Sequence, residues 1–113
     1  MVDLIAGIAV HDYPGALAWY EKLFGAPPTF VVSDTEALWE VTEYGAIAIE
    51  RRLDRVSGGA LHTLFVGDLD ERTAAISERG IEPADREIYD NGVRKLIYRD
   101  PEGNEIGIGG RPA

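Results

Sequence analysis

The chain has 113 residues, 45% of them apolar, and carries 20 acidic against 11 basic side chains for a net charge of −9. Such a length suits one domain with a modest core. The acidic balance disfavours nucleic acid and anionic membrane surfaces, both of which need basic patches. There is no cysteine, which excludes disulfides, thiolate metal sites and cysteine nucleophiles. No apolar run approaches the ~18 residues of a membrane span. The first residues, Met1-Val2-Asp3-Leu4-Ile5, lack a basic n-region and a cleavage site. The expectation is a soluble cytoplasmic protein with no membrane partner.

Leu4–Val10 reads as a strand, apolar throughout, which predicts burial on both faces. Asp12 suits an N-cap and Pro14 the first turn of a helix. Ala16, Leu17, Tyr20, Leu23 and Phe24 then recur at helical spacing and predict a core-facing stripe. Gly25 is the expected C-cap, and Pro27-Pro28 stops the helix. Three short strands follow, Thr29–Val32, Ala37–Val41 and Ala46–Glu50, with a turn at Tyr44-Gly45. Ser57-Gly58-Gly59 is a flexible link.

Beyond the link the pattern repeats. Leu61–Val66 is a strand, and Asp68 caps a helix whose apolar face is Leu69, Ala74, Ala75 and Ile76, closed by Gly80. Glu87-Ile88-Tyr89 leads to a hairpin turn at Asp90-Asn91-Gly92 and the strand Val93–Arg99. Asp100-Pro101-Glu102-Gly103-Asn104 is a second turn, with proline pre-setting φ and Gly or Asn able to take φ > 0 at the exit. Glu105–Ile108 closes the chain. Two copies of strand–helix–three strands are therefore predicted, about 1–56 and about 60–113, as one domain of two similar units.

Val10-His11-Asp12, Ala18-Trp19-Tyr20, Leu23-Phe24-Gly25, Val66-Gly67-Asp68-Leu69-Asp70, Arg79-Gly80 and the Asp100–Asn104 turn, in this order and spacing, resemble the vicinal oxygen chelate superfamily, the glyoxalase and bleomycin-resistance proteins. The resemblance covers nearly the whole chain. It implies an α+β fold of two βαβββ modules, with strands forming curled half-barrels and helices outside. It also implies a homodimer that completes two small-molecule cavities.

Metal-binding members hold an ion with His, His and Glu on cavity-facing strands, because imidazole and carboxylate donors must converge and leave positions open for substrate oxygens. The resemblance maps these ligands onto Ile5, Leu61 and Gly107, none of which can ligate through its side chain. His62 is one residue from the second position, and strand alternation points it away from the cavity. His11 reads as a surface residue. No P-loop, G-x-G-x-x-G or G-x-S-x-G occurs.

Alternation then supplies a cavity wall: Ile5, Gly7 and Ala9; Leu38 and Glu40; Ala48; Leu61, Thr63 and Phe65; Val93, Lys95 and Ile97; and Gly107. Leu96 and Tyr98 go to the helix side. Glu40, Thr63, Lys95 and Glu105 are the polar exceptions. Glu40 and Lys95 either pair across the cavity, orient a polar ligand, or sit at a wet rim. Trp39 reads as a core aromatic or as a stacking platform.

The expected function is metal-independent binding of a small hydrophobic or aromatic molecule in a dimer cavity, of the antibiotic-sequestration type, with no cofactor. The alternative is a lyase, isomerase or dioxygenase-like enzyme using a carboxylate such as Glu40. Two further readings are a metalloenzyme built on His62 with carboxylates and an interaction module with a filled cavity.

Overall fold

The computed structural model describes residues 1–112. In chain order the elements are β1 (Leu4–Val10), α1 (Tyr13–Phe24), β2 (Phe30–Ser33), β3 (Glu36–Thr42), β4 (Gly45–Arg51), β5 (Leu61–Val66), α2 (Leu69–Glu78), β6 (Asp85–Ile88), β7 (Arg94–Arg99) and β8 (Glu105–Gly110). They form two four-stranded sheets of identical plan, β1-β4-β3-β2 and β5-β8-β7-β6. In each, the first strand lies parallel to the last and the other pairs are antiparallel. This is the α+β arrangement of two βαβββ units, curled but not closed.

Both helices cover one side of the sheets. The core lies there, with Ile8, Val10, Tyr20, Trp39, Ile47 and Ile49 in one cluster with Leu69, Ile76, Tyr98, Ile106 and Ile108. α1 forms where the spacing predicts. The Asp12 carboxylate accepts from the Gly15 N–H at 3.2 Å. Gly25 closes the helix at φ 75° with its N–H on the Glu21 carbonyl, a conformation that glycine takes without a Cβ penalty. Tyr20, Phe24 and Trp39 pack as one aromatic group with centroids 5.5 to 6.0 Å apart. The Trp39 indole N–H donates to the Ala26 carbonyl at 3.0 Å, so Trp39 is a core aromatic.

Three expectations change. β1 is buried on one face only: Ile8 and Val10 join the core cluster, while Ile5 and Gly7 on the other face are exposed, as is Leu4 at the strand's start. Uniform apolarity reports two apolar faces, but a single chain supplies a covering layer to one. Ala74 is exposed and α2 buries Leu69 and Ile76, because position 74 falls on the opposite side of the helix from 76. Asp68 stands at the N-cap of α2 but makes no capping bond there. Its carboxylate instead takes Arg72 one turn along at 3.1 Å.

The two units are joined by the turn before β8. Asp100 and Asn104 are buried at 5% and 1% exposure. The Asp100 carboxylate accepts from the Glu102 and Asn104 backbone N–H groups at 2.9 Å each, the Tyr20 hydroxyl at 2.8 Å and the Asn104 amide at 3.0 Å. The Asn104 side-chain oxygen accepts from the Gly58 and Ala60 N–H groups at 3.1 and 3.0 Å, and its amide also donates to the Ala9 carbonyl. One turn of the second unit thereby holds a helix of the first, the link and β1.

The same helix is held at both ends by the second unit. The Glu102 carboxylate accepts from the His11 and Asp12 N–H groups at 2.8 and 2.9 Å, at the N-terminus of α1. The Arg79 guanidinium donates to the Lys22 and Leu23 carbonyls at its C-terminus. Each charge has the sign the helix dipole favours.

Asn104→Ala removes a group that satisfies buried partners on both sides, and should cost about 3 kcal/mol in urea unfolding, since each orphaned buried group costs ~1–3 kcal/mol. Tyr98 is the converse case. Its buried hydroxyl finds no partner among the described residues, so Tyr98→Phe should be neutral or stabilising by up to ~1 kcal/mol in the same measurement.

Candidate functional site

Register decides which side chains share the face opposite the helices, since directly paired residues on adjacent strands point the same way. In the first sheet the rungs are Glu40–Ala46–Ile5, Leu38–Ala48–Gly7 and Glu36–Glu50–Ala9. In the second they are Arg99–Glu105–Leu61, Ile97–Gly107–Thr63 and Lys95–Gly109–Phe65. The sequence-predicted wall residues Ile5, Gly7, Leu38, Glu40 and Ala48 thus fall on one open face. Leu61, Thr63, Phe65, Lys95, Ile97 and Gly107 fall on the other.

Each open face carries exposed apolar side chains among its charged ones. Ile5 is 57% exposed, Leu61 66% and Phe65 60%. Ala48, Ile97 and Gly107 are buried within their rungs. Ile5, Phe30, Leu38 and Glu40 line a hollow of about 190 Å³ on the first sheet. Phe30 was not expected there; its pairing with Leu38 extends that rung to β2, and only the register of a short edge strand reveals it. A second cleft, of about 640 Å³, lies between the sheets and is lined by Leu4, Ala6, Val41, Tyr44 and Ile47 with Leu61, Thr63 and Leu64; His62, expected to point away from any cavity, lines this cleft too.

His62 pairs with Ile106, which is fully buried on the helix side. Its ring nitrogen Nε2 lies 3.3 Å from the Gly7 carbonyl, tying β5 to β1. His11 is exposed, with Nε2 2.7 Å from the Arg55 carbonyl. Neither points to a shared centre, and no group of three or more His, Asp or Glu among the described residues could hold a metal ion. The positions where the resemblance implies ligands present two alkyl side chains and a hydrogen. These residues do not fit a resident metal.

Glu40 and Lys95 stand on different sheets, and no ion pair joins them. The ion pairs formed on the open faces are Arg52 with Glu50 and Arg99 with Glu105, at 3.3 and 2.9 Å. The Lys95 chain lies across Gly107: a Cβ there would be 2.5 Å from Lys95 Cε and 3.0 Å from Thr63 Oγ1.

Two observations beyond the fold decide the family. The description "Glyoxalase/Bleomycin resistance protein/Dioxygenase superfamily" matches residues 2–108. A structure described as a glyoxalase / bleomycin resistance protein from Catenulispora acidiphila DSM 44928 shares 47% identity over 99% of this chain and 100% of that one, with a TM-score of 0.93. The chain belongs to the glyoxalase/bleomycin resistance protein/dioxygenase superfamily.

More distant members of this superfamily share the fold alone. A superfamily member from Sphaerobacter thermophilus DSM 20745 has 23% identity over 98% of both chains and a TM-score of 0.75. A lactoylglutathione lyase from Agrobacterium tumefaciens has 18% identity over 95% of this chain and 91% of that one, with a TM-score of 0.74. No curated protein matches the sequence. No helix among the described residues is long and apolar enough to cross a membrane.

The electrostatics of the junction carry a pH dependence. Partial burial works to raise the Glu102 carboxyl, but hydrogen bonds from the His11 and Asp12 backbone and the Ser57 hydroxyl outweigh it and hold Glu102 below its usual value. Burial, followed by Asp100, pushes the Tyr20 hydroxyl well above the ordinary tyrosine range, so it stays a donor. A group more acidic folded than unfolded stabilises the fold above its unfolded pKa, and that contribution disappears as pH falls through its folded one. Thermal melts between about pH 7 and about pH 3 should therefore fall more steeply for the native chain than for Glu102→Gln.

Proposed function

We propose that this superfamily member captures a small hydrophobic or aromatic molecule without a metal, in cavities completed when the open faces of two copies come together. The observation that carries the reading is that Ile5 and Leu61, which the resemblance maps to metal-ligand positions, are exposed alkyl side chains on the open faces. A rung of alkyl and aromatic groups offers a desolvating surface and no converging donors. Exposed apolar area of this kind marks a face that is covered in use. A core this small also gains from burial against a second copy.

Native mass spectrometry should show a dimer, and titration calorimetry with planar aromatic antibiotics and dyes should give one site per chain with micromolar or tighter affinity (about −8 kcal/mol). Chelator should leave that binding unchanged. A monomer that binds none of these compounds overturns the reading. Chelator-resistant turnover that collapses in Glu40→Gln would replace it with a carboxylate-assisted enzyme, because Glu40 lies in the same hollow as Ile5.

A further inference from the structure

Gly107 is not required by its backbone. The positive-φ glycines are Gly25, Gly58, Gly80, Gly92 and Gly103, and Gly107 is not among them. What its missing side chain provides is room. The point where a Cβ would sit is 2.5 Å from Lys95 Cε, 3.5 Å from Lys95 Nζ and 3.0 Å from Thr63 Oγ1. Lysine and threonine therefore converge over the glycine that replaces the third ligand position.

The ammonium makes no salt bridge there among the described residues, although Glu87 lies across the strand pair from it and Asp85 lies beside the next rung. Lys95 is half-buried. Its cross-strand neighbour Glu87 accepts instead from the Tyr89 hydroxyl at 3.2 Å. Arg99, the other cation on this face, is engaged by Glu105. An ammonium and a hydroxyl that both approach the open space over a glycine are suited to an oxyanion, to which the two give charge-assisted hydrogen bonds. Phe65 shares the Lys95–Gly109 rung, with its ring edge 3.5 Å from the Cβ point of Gly109. An aromatic surface thus adjoins the cation.

We propose that Lys95 and Thr63, over Gly107, form a carboxylate subsite, so that the molecule taken by the open face is an aromatic acid whose ring lies against Phe65. This rests on the reading that the open face takes a small molecule.

Calorimetry with 2-naphthoate and with its neutral isostere 2-naphthamide tests it on the intact protein. The native chain should bind the acid roughly tenfold or more tightly than the amide, the value of a charge-assisted hydrogen bond of ~1.5–3 kcal/mol. Lys95→Met should erase that preference and leave amide binding unchanged. Gly107→Ala should weaken the preference with the charge still present, since the new methyl displaces the flexible end of Lys95 and crowds the Thr63 hydroxyl. Lys22→Met, on the exposed side of α1, should behave as the native chain. Melting curves verify that each variant folds. Equal binding of acid and amide by the native chain, or a preference that survives in Lys95→Met, overturns the subsite alone. Binding of neither compound overturns both the subsite and the small-molecule reading beneath it.

Discussion

A buried carboxylate holds this molecule together. Asp100 is nearly inaccessible, and an ionised group in such a place is tolerated only if its lone pairs are met. Four donors meet them, from its own turn, from Asn104 and from Tyr20 of α1. Apolar contact between the two units is indifferent to small slides. Hydrogen bonds at 2.8–3.0 Å are not, so the turn sets where the second unit sits against the first. Glu102 and Arg79 reinforce the setting by closing the two ends of α1 with charges from the other unit.

That junction has a consequence for the open faces. The helices and the main core lie on one side, so much of the other side of both sheets is left uncovered. Side chains there are released from packing into the core, and exposed Ile5, Leu61 and Phe65 are a cost to a lone chain in water. Lys95 and Thr63 interrupt the apolar lining at one point, above a glycine whose backbone does not demand glycine.

The repeat is visible as chemistry in the paired rungs. Leu38–Ala48–Gly7 in the first sheet corresponds to Ile97–Gly107–Thr63 in the second. The floor residue is small in both, and an aliphatic residue flanks it in both. The units diverge in charge: Glu36 occupies the position that Lys95 takes in the other unit. Two equivalent positions thus carry opposite charges on one scaffold.

Much of this was legible in the chain. Helical spacing of Ala16, Tyr20 and Leu23, glycine at the end of α1 and the turn at Asp100–Asn104 are local signals, and local sterics are enough to set them. Alternation likewise placed Ile5, Leu38, Leu61, Thr63 and Gly107 on faces, because the strand period is two whatever the partner. Long-range geometry was not legible. Asp100 and Asn104 read only as turn formers, since nothing local says that Tyr20, eighty residues earlier, reaches that carboxylate. Asp68 read as a cap, but Arg72 competes for it. The burial of β1 on a single face, the separation of Glu40 from Lys95 and the folding of Lys95 over Gly107 depend on which strands are neighbours. Sequence determined the elements and their repetition. Tertiary structure alone decided which charges are matched, because hydrogen bonds and ion pairs form between groups that folding, and not chain order, brings within reach.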